Sequence, residues 1–208
     1  MSKKIDLRII RTKNSIETTF LKLVQLKKYE EITIQDIADM ALINRGTFYL
    51  HYSDKEDLLC KVIDKVLQEF KDIVDFNSFT KEDKIIHSQL QELIERLFEN
   101  IRGHKDFYKV MLIQSNIGNF RCKLQEIIKQ KFRNEFQKNI LKNDNEILSR
   151  ELFIKAIVSA FTGMTEWWLE NSLVYSSHYM AIQLLKLTTK GAFPAAGFEI
   201  VHEQISKS

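Results

Sequence analysis

Residues that interrupt regular secondary structure are scarce in this sequence. Proline occurs once and glycine six times in 208 residues, whereas average usage predicts about 10 prolines and about 15 glycines. Many-stranded sandwiches and barrels need such residues in their tight turns, so the composition disfavours them and favours long helices with few breaks. The sequence therefore predicts an all-α fold.

Cysteines and long apolar runs are also rare. Cys60 and Cys122 are too few for a disulfide framework, which favours two free thiols in a reducing compartment. No run of about 18 uncharged apolar residues is present, and the basic N-terminus lacks an apolar signal core. We therefore expect a cytoplasmic protein with no membrane partner.

Motifs of catalytic and metal-binding sites are missing as well. The histidines do not stand at metal-ligand spacing with cysteines or carboxylates, and no phosphate-binding loop, GxGxxG or GxSxG motif occurs. The carboxylate pairs lie in charged stretches that are typical of solvated helix faces. The sequence thus predicts no metal site, no cofactor and no enzymatic activity.

The basic charge is concentrated at the start of the chain. Residues 1 to 28 carry eight Lys or Arg against Asp6 and Glu17, a net charge of +6, whereas residues 29 to 57 carry a net charge of −5. A basic first helix suits an anionic partner. Charge alone, however, favours the simpler interpretation of a solvated helix face.

Helical periodicity divides the first third of the chain into four helices. The first spans about residues 6 to 28, and Thr33 with Asp36 forms a variant capping box before a second helix over 34 to 41. Residues 42 to 44 allow only a turn, and a third helix covers 45 to 52. Ser53 with Glu56 forms a capping box that starts the fourth helix. Two short helices with a three-residue turn predict a helix-turn-helix motif.

The third helix carries side chains that stability alone does not explain. Phe48 faces inward, while Arg45, Thr47, Tyr49 and His51 occupy the other faces. Arg and Thr reach base edges in a major groove, and Tyr and His reach phosphate oxygens. Gly46 would allow a close approach to the duplex. In the first turn of the fourth helix, the free N–H groups favour an anion, so Lys55 reads as a phosphate clamp, or else as a residue that offsets neighbouring acids.

These residues carry a resemblance to a known family. The stretch Thr33-Ile-Gln-Asp-Ile-Ala, followed by Ala41 and by Arg45-Gly-Thr-Phe-Tyr-Leu-His-Tyr-Ser-Asp-Lys-Glu-Asp-Leu-Leu59, resembles the DNA-binding domain of TetR-family transcriptional regulators. The match covers roughly residues 8 to 60. One position departs from the family pattern: Leu42 stands where the family usually has a turn glycine. A left-handed backbone there would cost a leucine about 1–2 kcal/mol.

The resemblance implies a role for each matching residue. Residues that would face the DNA are Thr33, Gln35, Arg45, Gly46 and Thr47, and Asn44 could join the base readers. Phosphates would be held by Tyr49, His51 and Lys55. A basic arm along the backbone or minor groove would consist of Lys3, Lys4, Arg8 and Arg11.

The second half is expected to be the regulatory part. We predict a DNA-binding domain over 1–57, a helical dimerisation and ligand domain over 58–190, and an irregular tail over 191–208. Aromatic content favours an apolar ligand pocket, although plain bundle core is the alternative for each residue. The pocket candidates are Phe107, Tyr108, Met111, Phe132, Phe136, Phe161, Met164, Trp167 and Trp168. The dimer-interface candidates are Ala156, Ala160, Gly163, Met180, Leu184 and Leu187.

The combined expectation is a homodimer that binds a palindromic operator on double-stranded DNA. Half-sites would lie roughly 34–36 Å apart. The resemblance implies repression as the commonest outcome, with a small apolar effector that shifts the fourth helix. The alternative is a helical interaction protein that retains the fold without binding DNA, and it is favoured by Leu42 and by the acidic balance of residues 29 to 57.

Overall fold

The computed structural model describes residues 7–81, 84–114, 117–137, 149–191 and 196, and these residues form an all-helical fold. Lys3, Lys4 and nearly all of the predicted tail lie outside the described residues. A two-residue antiparallel pair, Thr80–Lys81 with Lys84–Ile85, is a small addition to the predicted fold class. Among the described helices, none is long and apolar enough to cross a membrane. The helices are α1 (Leu7–Leu26), α2 (Ile34–Met40), α3 (Arg45–Tyr49), α4 (Lys55–Ile73), α5 (His87–Gly103), α6 (Lys105–Lys109), α7 (Phe120–Gln137), α8 (Arg150–Glu170) and α9 (Ser177–Lys190).

The chain forms two compact units. The first consists of the described residues within Met1–Asp72 and Gly103–Ile127, and the second of those within Ile73–Arg102 and Ile128–Ser208. Residues 103–127 thus belong to the unit that contains the helix-turn-helix, which differs from the predicted division at residue 57. Sequence order could not reveal this grouping, because it depends on long-range packing.

The first unit has a continuous apolar core. The helical stripe of α1 buries Ile16 and Phe20 completely, as the periodicity predicts, while Ile9 at its N-terminal end remains 45% exposed. From the helix-turn-helix, Ile37 and Phe48 are also fully buried. This core holds α2 and α3 in place, so their remaining side chains can face solvent.

The second unit is a separate helical core built from α5, α8, α9 and the later part of α7. The ring of Phe98 lies 5.5 Å from that of Phe161 and 5.4 Å from that of Trp168, both on α8. The turn that joins α8 to α9 is held by the carbonyl oxygen of Tyr175, which accepts from Arg102 Nη2 at 2.7 Å and from Trp168 Nε1 at 3.0 Å. These contacts fix the positions of α8 and α9 within the unit.

Candidate functional site

A capping box starts α2, as the sequence predicts. The main-chain N–H of Asp36 donates to Thr33 Oγ1 at 3.1 Å, and the N–H of Thr33 donates to Asp36 Oδ2 at 2.7 Å. Lys27 Nζ on the preceding chain segment lies 2.6 Å from the same carboxylate oxygen. The hydrogen bonds from Lys27 and Thr33 hold the pKa of Asp36 well below its usual range. The first turn of α2 is therefore held by the contacts of Asp36 with both Thr33 and Lys27.

Leu42 adopts the left-handed conformation that the missing turn glycine implied. Its φ is +56°, and its side chain is 92% exposed, so no buried contact offsets the strain. The turn is closed by the N–H of Ile43, which donates to the carbonyl oxygen of Ala38 at 3.0 Å. The helix-turn-helix geometry is thus kept at an estimated cost of about 1–2 kcal/mol.

Asn44 has a structural role that sequence reasoning did not assign. Its Oδ1 accepts from the N–H of Thr47 at 2.7 Å and from Thr47 Oγ1 at 3.0 Å, which makes Asn44 the N-cap of α3. A Cβ on Gly46 would lie 3.3 Å from this capping oxygen. Glycine at position 46 therefore leaves room for the capping Oδ1 of Asn44, in addition to any role it has in the close approach of α3 to a duplex.

The polar surface of α2 and α3 faces solvent. We call Thr33, Gln35, Arg45, Gly46, Thr47 and Tyr49 the reading surface; all are exposed except Thr47, which is half-buried. Arg45 Nη2 donates to Tyr49 Oη at 3.4 Å, one helical turn away. Gln35 Nε2 donates to Asp39 Oδ1 at 2.6 Å, also one helical turn away. Helix α3 ends at Tyr49 and is shorter than the predicted 45 to 52.

His51 and the exposed basic residues of α1 lie next to this motif. His51 is half-buried, and desolvation together with the nearby Lys13 charge lowers the pKa of its imidazole. The neutral ring keeps one N–H that can donate to a phosphate. Lys13 was counted in the basic charge but not assigned to the site. Arg8 and Arg11 are exposed on α1, as the predicted basic arm requires.

The contacts of Lys55 contradict the prediction that it clamps a phosphate. Its Nζ donates to the main-chain carbonyl oxygens of Tyr29 at 2.7 Å, Ile32 at 2.9 Å and Glu30 at 3.4 Å. The ammonium also lies 4.3 Å from the centre of the Tyr29 ring. Because an ammonium has three N–H donors, these contacts leave none for a phosphate. Lys55 instead ties α4 to the connection between α1 and α2.

The start of α4 differs by one residue from the predicted capping box. The N–H of Asp57 donates to Asp54 Oδ1 at 2.7 Å, and the N–H of Ser53 donates to Asp57 Oδ2 at 3.0 Å. Asp54 is therefore the N-cap rather than Ser53. Glu56, the predicted partner of Ser53, accepts from Tyr29 Oη at 3.0 Å. The acids of residues 29 to 57 thus serve largely as caps and local hydrogen-bond acceptors.

An apolar cavity of about 230 Å³ lies within the second unit, which we call the bundle cavity. Of the predicted pocket residues, Phe132 and Phe161 line it. The other lining residues were not among the predicted pocket residues. They are Val74, Phe76, Phe79, Thr80, Ile85, Leu90, Leu93, Ile94, Leu97, Ile128, Glu135, Phe153, Ile157, Leu184, Thr188 and Thr189. Of the 18 lining residues, nine are aliphatic and five are phenylalanines, so the cavity is formed mainly by apolar side chains.

The other predicted pocket residues lie elsewhere. Phe107, Tyr108 and Met111 are buried in the first unit, where both aromatic rings pack against Phe120 at centroid distances of 5.0 and 5.5 Å. The remaining four stay in the second unit. Phe136 packs against a neighbouring ring, Trp168 is core, and Met164 and Trp167 line a separate open groove of about 300 Å³. Composition predicted an apolar cavity but could not assign aromatic residues to one unit or the other.

The predicted dimer-interface residues fall into two groups, one buried and one at least partly exposed. Met180 and Leu184 are 2% and 4% exposed, so they are core residues of their own unit, and Leu184 lines the bundle cavity. They cannot present their side chains to a partner without rearrangement. Ala156 and Gly163 are exposed, and Ala160 and Leu187 are half-buried.

Exposed aromatic side chains of α8, α9 and the turn between them lie together, and sequence reasoning did not group them. Trp167, Tyr175 and Tyr179 are each 41–46% exposed and stack in series, with centroid distances of 6.0 and 4.4 Å. We call these three residues the aromatic patch. The four-residue spacing of Tyr175 and Tyr179 was the available signal in the sequence.

Fold and surface together define a class of protein: an all-helical regulator with an exposed helix-turn-helix in one unit and an apolar cavity in the other. Residues 21–62 match the family model for bacterial regulatory proteins of the tetR family, and residues 88–190 match a model for a transcriptional regulator C-terminal region. The chain belongs to the TetR family of transcriptional regulators.

Individual relatives agree with this assignment. An uncharacterized HTH-type transcriptional regulator of Bacillus subtilis, YxbF, is 41% identical over 71 residues, which cover 34% of this chain and 19% of that protein. The chain spans only 19–36% of the length of the first curated relatives that it matches.

Solved structures share the fold over most of the chain. FadR of Bacillus subtilis, solved in complex with stearoyl-CoA, aligns with a TM-score of 0.62 and 18% identity over 86% of this chain and 98% of that one. NalD of Pseudomonas aeruginosa, described as a secondary repressor of a multidrug efflux pump, aligns with a TM-score of 0.61 and 16% identity over 88% and 97%. At these identities the likeness concerns the fold alone.

Proposed function

We propose that this TetR-family regulator binds a palindromic operator in the cytoplasm as a homodimer, with α3 of each subunit in the major groove. The observation that carries the proposal is the division of α3 between a fully buried Phe48 and an exposed Arg45. The buried ring anchors the helix, and the guanidinium remains available for a bidentate contact with guanine.

The side chains of the reading surface would contact different parts of the DNA. Arg45, Thr47, Thr33 and Gln35 would contact base edges, and Tyr49 would reach a phosphate oxygen. Gly46 would allow close approach, and Asn44 would contribute mainly by capping α3. His51 would donate to a phosphate. The basic arm of α1, including Arg8 and Arg11 and the predicted Lys3 and Lys4, would follow the backbone.

The aromatic patch supports the proposed dimer. Three partly exposed aromatic rings beside the exposed Gly163 give a surface that can be desolvated with little loss of side-chain freedom. A two-fold assembly through α8 and α9 would present two reading surfaces to half-sites roughly 34–36 Å apart.

Repression with release by an apolar effector is the regulatory scheme we propose. Binding in the bundle cavity would shift a two-state equilibrium, and a coupling of about 1–3 kcal/mol suffices for switching. FadR is described in complex with stearoyl-CoA. The apolar lining and the volume of about 230 Å³ of the bundle cavity support a small apolar ligand.

Fluorescence anisotropy tests the DNA-binding proposal. The full chain should bind a palindrome selected from random duplexes with nanomolar affinity at physiological salt, and Arg45→Ala should weaken that binding. Lys186→Ala is the matched control, because it removes another exposed cation, from α9. The absence of any selected sequence would favour the alternative of a helical interaction protein without DNA binding. The capping roles of Asp36, Asp54 and Asp57 weaken that alternative, since they account for part of the acidic balance.

A further inference from the structure

A large apolar side chain belongs to the outward surface of α3 but not to the reading surface. Leu50 directly follows the last residue of the helix, keeps the helical backbone angles φ −69° and ψ −18°, and is 81% exposed. Exposure alone is common for a leucine on a protein surface. The position of Leu50 on α3 is what sets it apart.

Helical geometry places Leu50 opposite the buried anchor of α3. Phe48 is fully buried, and two residues along a helix of about 3.6 residues per turn correspond to a rotation of about 200°. Gly46, two residues before Phe48, and Leu50, two residues after it, therefore share the face that points away from the core. The N–H of Leu50 donates to the carbonyl oxygen of Gly46 at 3.2 Å, which keeps the two residues one turn apart on that face.

Polar side chains stand on both sides of this outward face. On one side, Arg45 Nη2 donates to Tyr49 Oη at 3.4 Å. On the other side, Thr47 Oγ1 donates to Asn44 Oδ1 at 3.0 Å. Because the residue one turn before Leu50 is glycine, a partner that approaches the face between these polar groups would contact the side chain of Leu50.

A leucine at this position selects one chemical group of a major groove. The base edges there present hydrogen-bond donors and acceptors, and the C5-methyl group of thymine is their apolar element. A leucine side chain neither donates nor accepts hydrogen bonds, so its favourable partner at a base edge is that methyl group. Five residues along a helix correspond to about 7.5 Å, or about two base-pair steps of about 3.4 Å. Arg45 and Leu50 would therefore contact different base pairs.

We propose that Leu50 is a specificity-determining residue that contacts the methyl group of one thymine in each half-site. The proposal rests on the proposed function, in which α3 of each subunit lies in the major groove, and it adds a base contact to those of the reading surface. Arg45 would select a guanine, and Leu50 would select a thymine in the same half-site. Burial of one methyl group corresponds to a factor of about four in affinity for each half-site.

Replacement of thymine by deoxyuridine tests the proposal on the full-length protein. Deoxyuridine lacks only the C5-methyl group and keeps the pairing, donors and acceptors of thymine. In anisotropy titrations with the selected palindrome, each thymine is replaced in turn, symmetrically in both half-sites. At least one replacement should weaken binding about tenfold to twentyfold, because two methyl contacts are lost. A half-site without thymine, or an affinity that no replacement changes, would overturn the proposal.

Variants link the methyl group to Leu50. In Leu50→Ala, the ratio of the affinities for the thymine and deoxyuridine duplexes should fall below about twofold, because the side chain no longer reaches the methyl group. Leu50→Met keeps an apolar side chain of similar size and should keep most of the ratio. Leu42→Ala is the matched control, because it truncates another exposed leucine of the helix-turn-helix, and it should leave the ratio unchanged. If Leu50→Ala weakened binding to both duplexes by the same factor, Leu50 would not contact the methyl group and the proposal would be wrong.

The result for Leu50 is separate from the result for DNA binding itself. A selected palindrome whose recognition depends on Arg45 but on no thymine methyl group would contradict the role of Leu50 and leave the regulator proposal intact. If no palindrome is selected, the proposed function fails and the Leu50 contact fails with it.

Discussion

The ammonium group of Lys55 donates to the carbonyl oxygen of Tyr29 at 2.7 Å and lies 4.3 Å from the centre of the same residue's ring. This contact joins the first turn of α4 to the connection between α1 and α2, 26 positions earlier in the chain. A side chain that local sequence would assign to DNA is thus part of the frame that positions the helix-turn-helix.

Lys55→Ala should therefore destabilise the fold rather than remove a phosphate contact. The substitution leaves carbonyl oxygens without their charged donor, and the free energy of unfolding should fall by about 1–3 kcal/mol. Urea denaturation measures this effect. Lys186→Ala is the control and should stay within about 0.5 kcal/mol of the unmodified protein. Unchanged stability together with a salt dependence of DNA binding that falls by one unit would restore the phosphate-clamp role.

Arg45 and Arg11 should affect DNA binding in different ways. Arg45→Ala should cost about 1–3 kcal/mol on the best sequence and relax the preference at one base pair. Arg11→Ala should weaken binding to all sequences and lower the slope of log affinity against log salt by about one. Anisotropy titrations at several salt concentrations, with selected and scrambled duplexes, separate the two effects. If both variants gave the same sequence preferences as the unmodified protein, Arg45 would not read a base.

Leu42→Gly should stabilise the protein. Glycine removes a left-handed strain of about 1–2 kcal/mol but adds chain entropy to the unfolded state, so we expect a net gain of about 0.5–1 kcal/mol in the free energy of unfolding. Leu50→Gly is the matched control, because Leu50 is likewise 81% exposed but has an ordinary φ of −69°. That variant should lose about 0.5–1 kcal/mol. Loss of stability in Leu42→Gly would mean that the side chain at position 42 makes a favourable contact.

The Asp36 cap should make the free energy of unfolding depend on pH in the acidic range. Hydrogen bonds from Lys27 and Thr33 depress the pKa of Asp36 in the folded state, so this contribution is present above the unfolded pKa of about 3.9. It is lost as the pH falls below that value toward the folded pKa. Asp36→Asn should therefore lower the Tm at pH 7, and the difference from the unmodified protein should shrink below about pH 4.

Asp64→Asn serves as the control for that experiment, because Asp64 is exposed on α4. Its Tm should follow that of the unmodified protein at every pH. A constant difference between Asp36→Asn and the unmodified protein from pH 7 down to pH 2 would show that the charge of Asp36 contributes nothing to the cap.

Trp167→Arg should dissociate the proposed dimer. A central aromatic residue of an interface typically contributes about 2 kcal/mol or more, which corresponds to an approximately thirtyfold weaker association. Sedimentation velocity over a range of concentrations measures the shift toward monomer. Leu152→Arg, which replaces another residue of α8 that is 61% exposed, should leave the association unchanged. An unaltered dimer in Trp167→Arg would place the interface on another surface.

Local patterns predicted much of the fold because they depend on neighbours in the chain. The capping box of Thr33 and Asp36 is formed as predicted, and the scarcity of proline and glycine matched the all-helical fold. The left-handed backbone at Leu42 also followed from one position in the turn. Each of these features is settled within a few residues, so sequence alone carries the information.

Long-range contacts account for the predictions that did not hold. The three carbonyl partners of Lys55 lie more than 20 positions away. Phe107 and Phe132 look equivalent in composition but belong to different units, and only Phe132 lines the cavity. Met180 carries the helical spacing of an interface yet is buried within its own unit.

The sequence by itself determined where α2 and α3 begin, which residues form the helix-turn-helix and which side chains of α3 are polar, because capping and periodicity act over a few residues. Only the tertiary structure decided which of these side chains remain available to contact DNA or a ligand. The N–H donors of Lys55 already bind carbonyl oxygens within the chain, so they are not available to a phosphate.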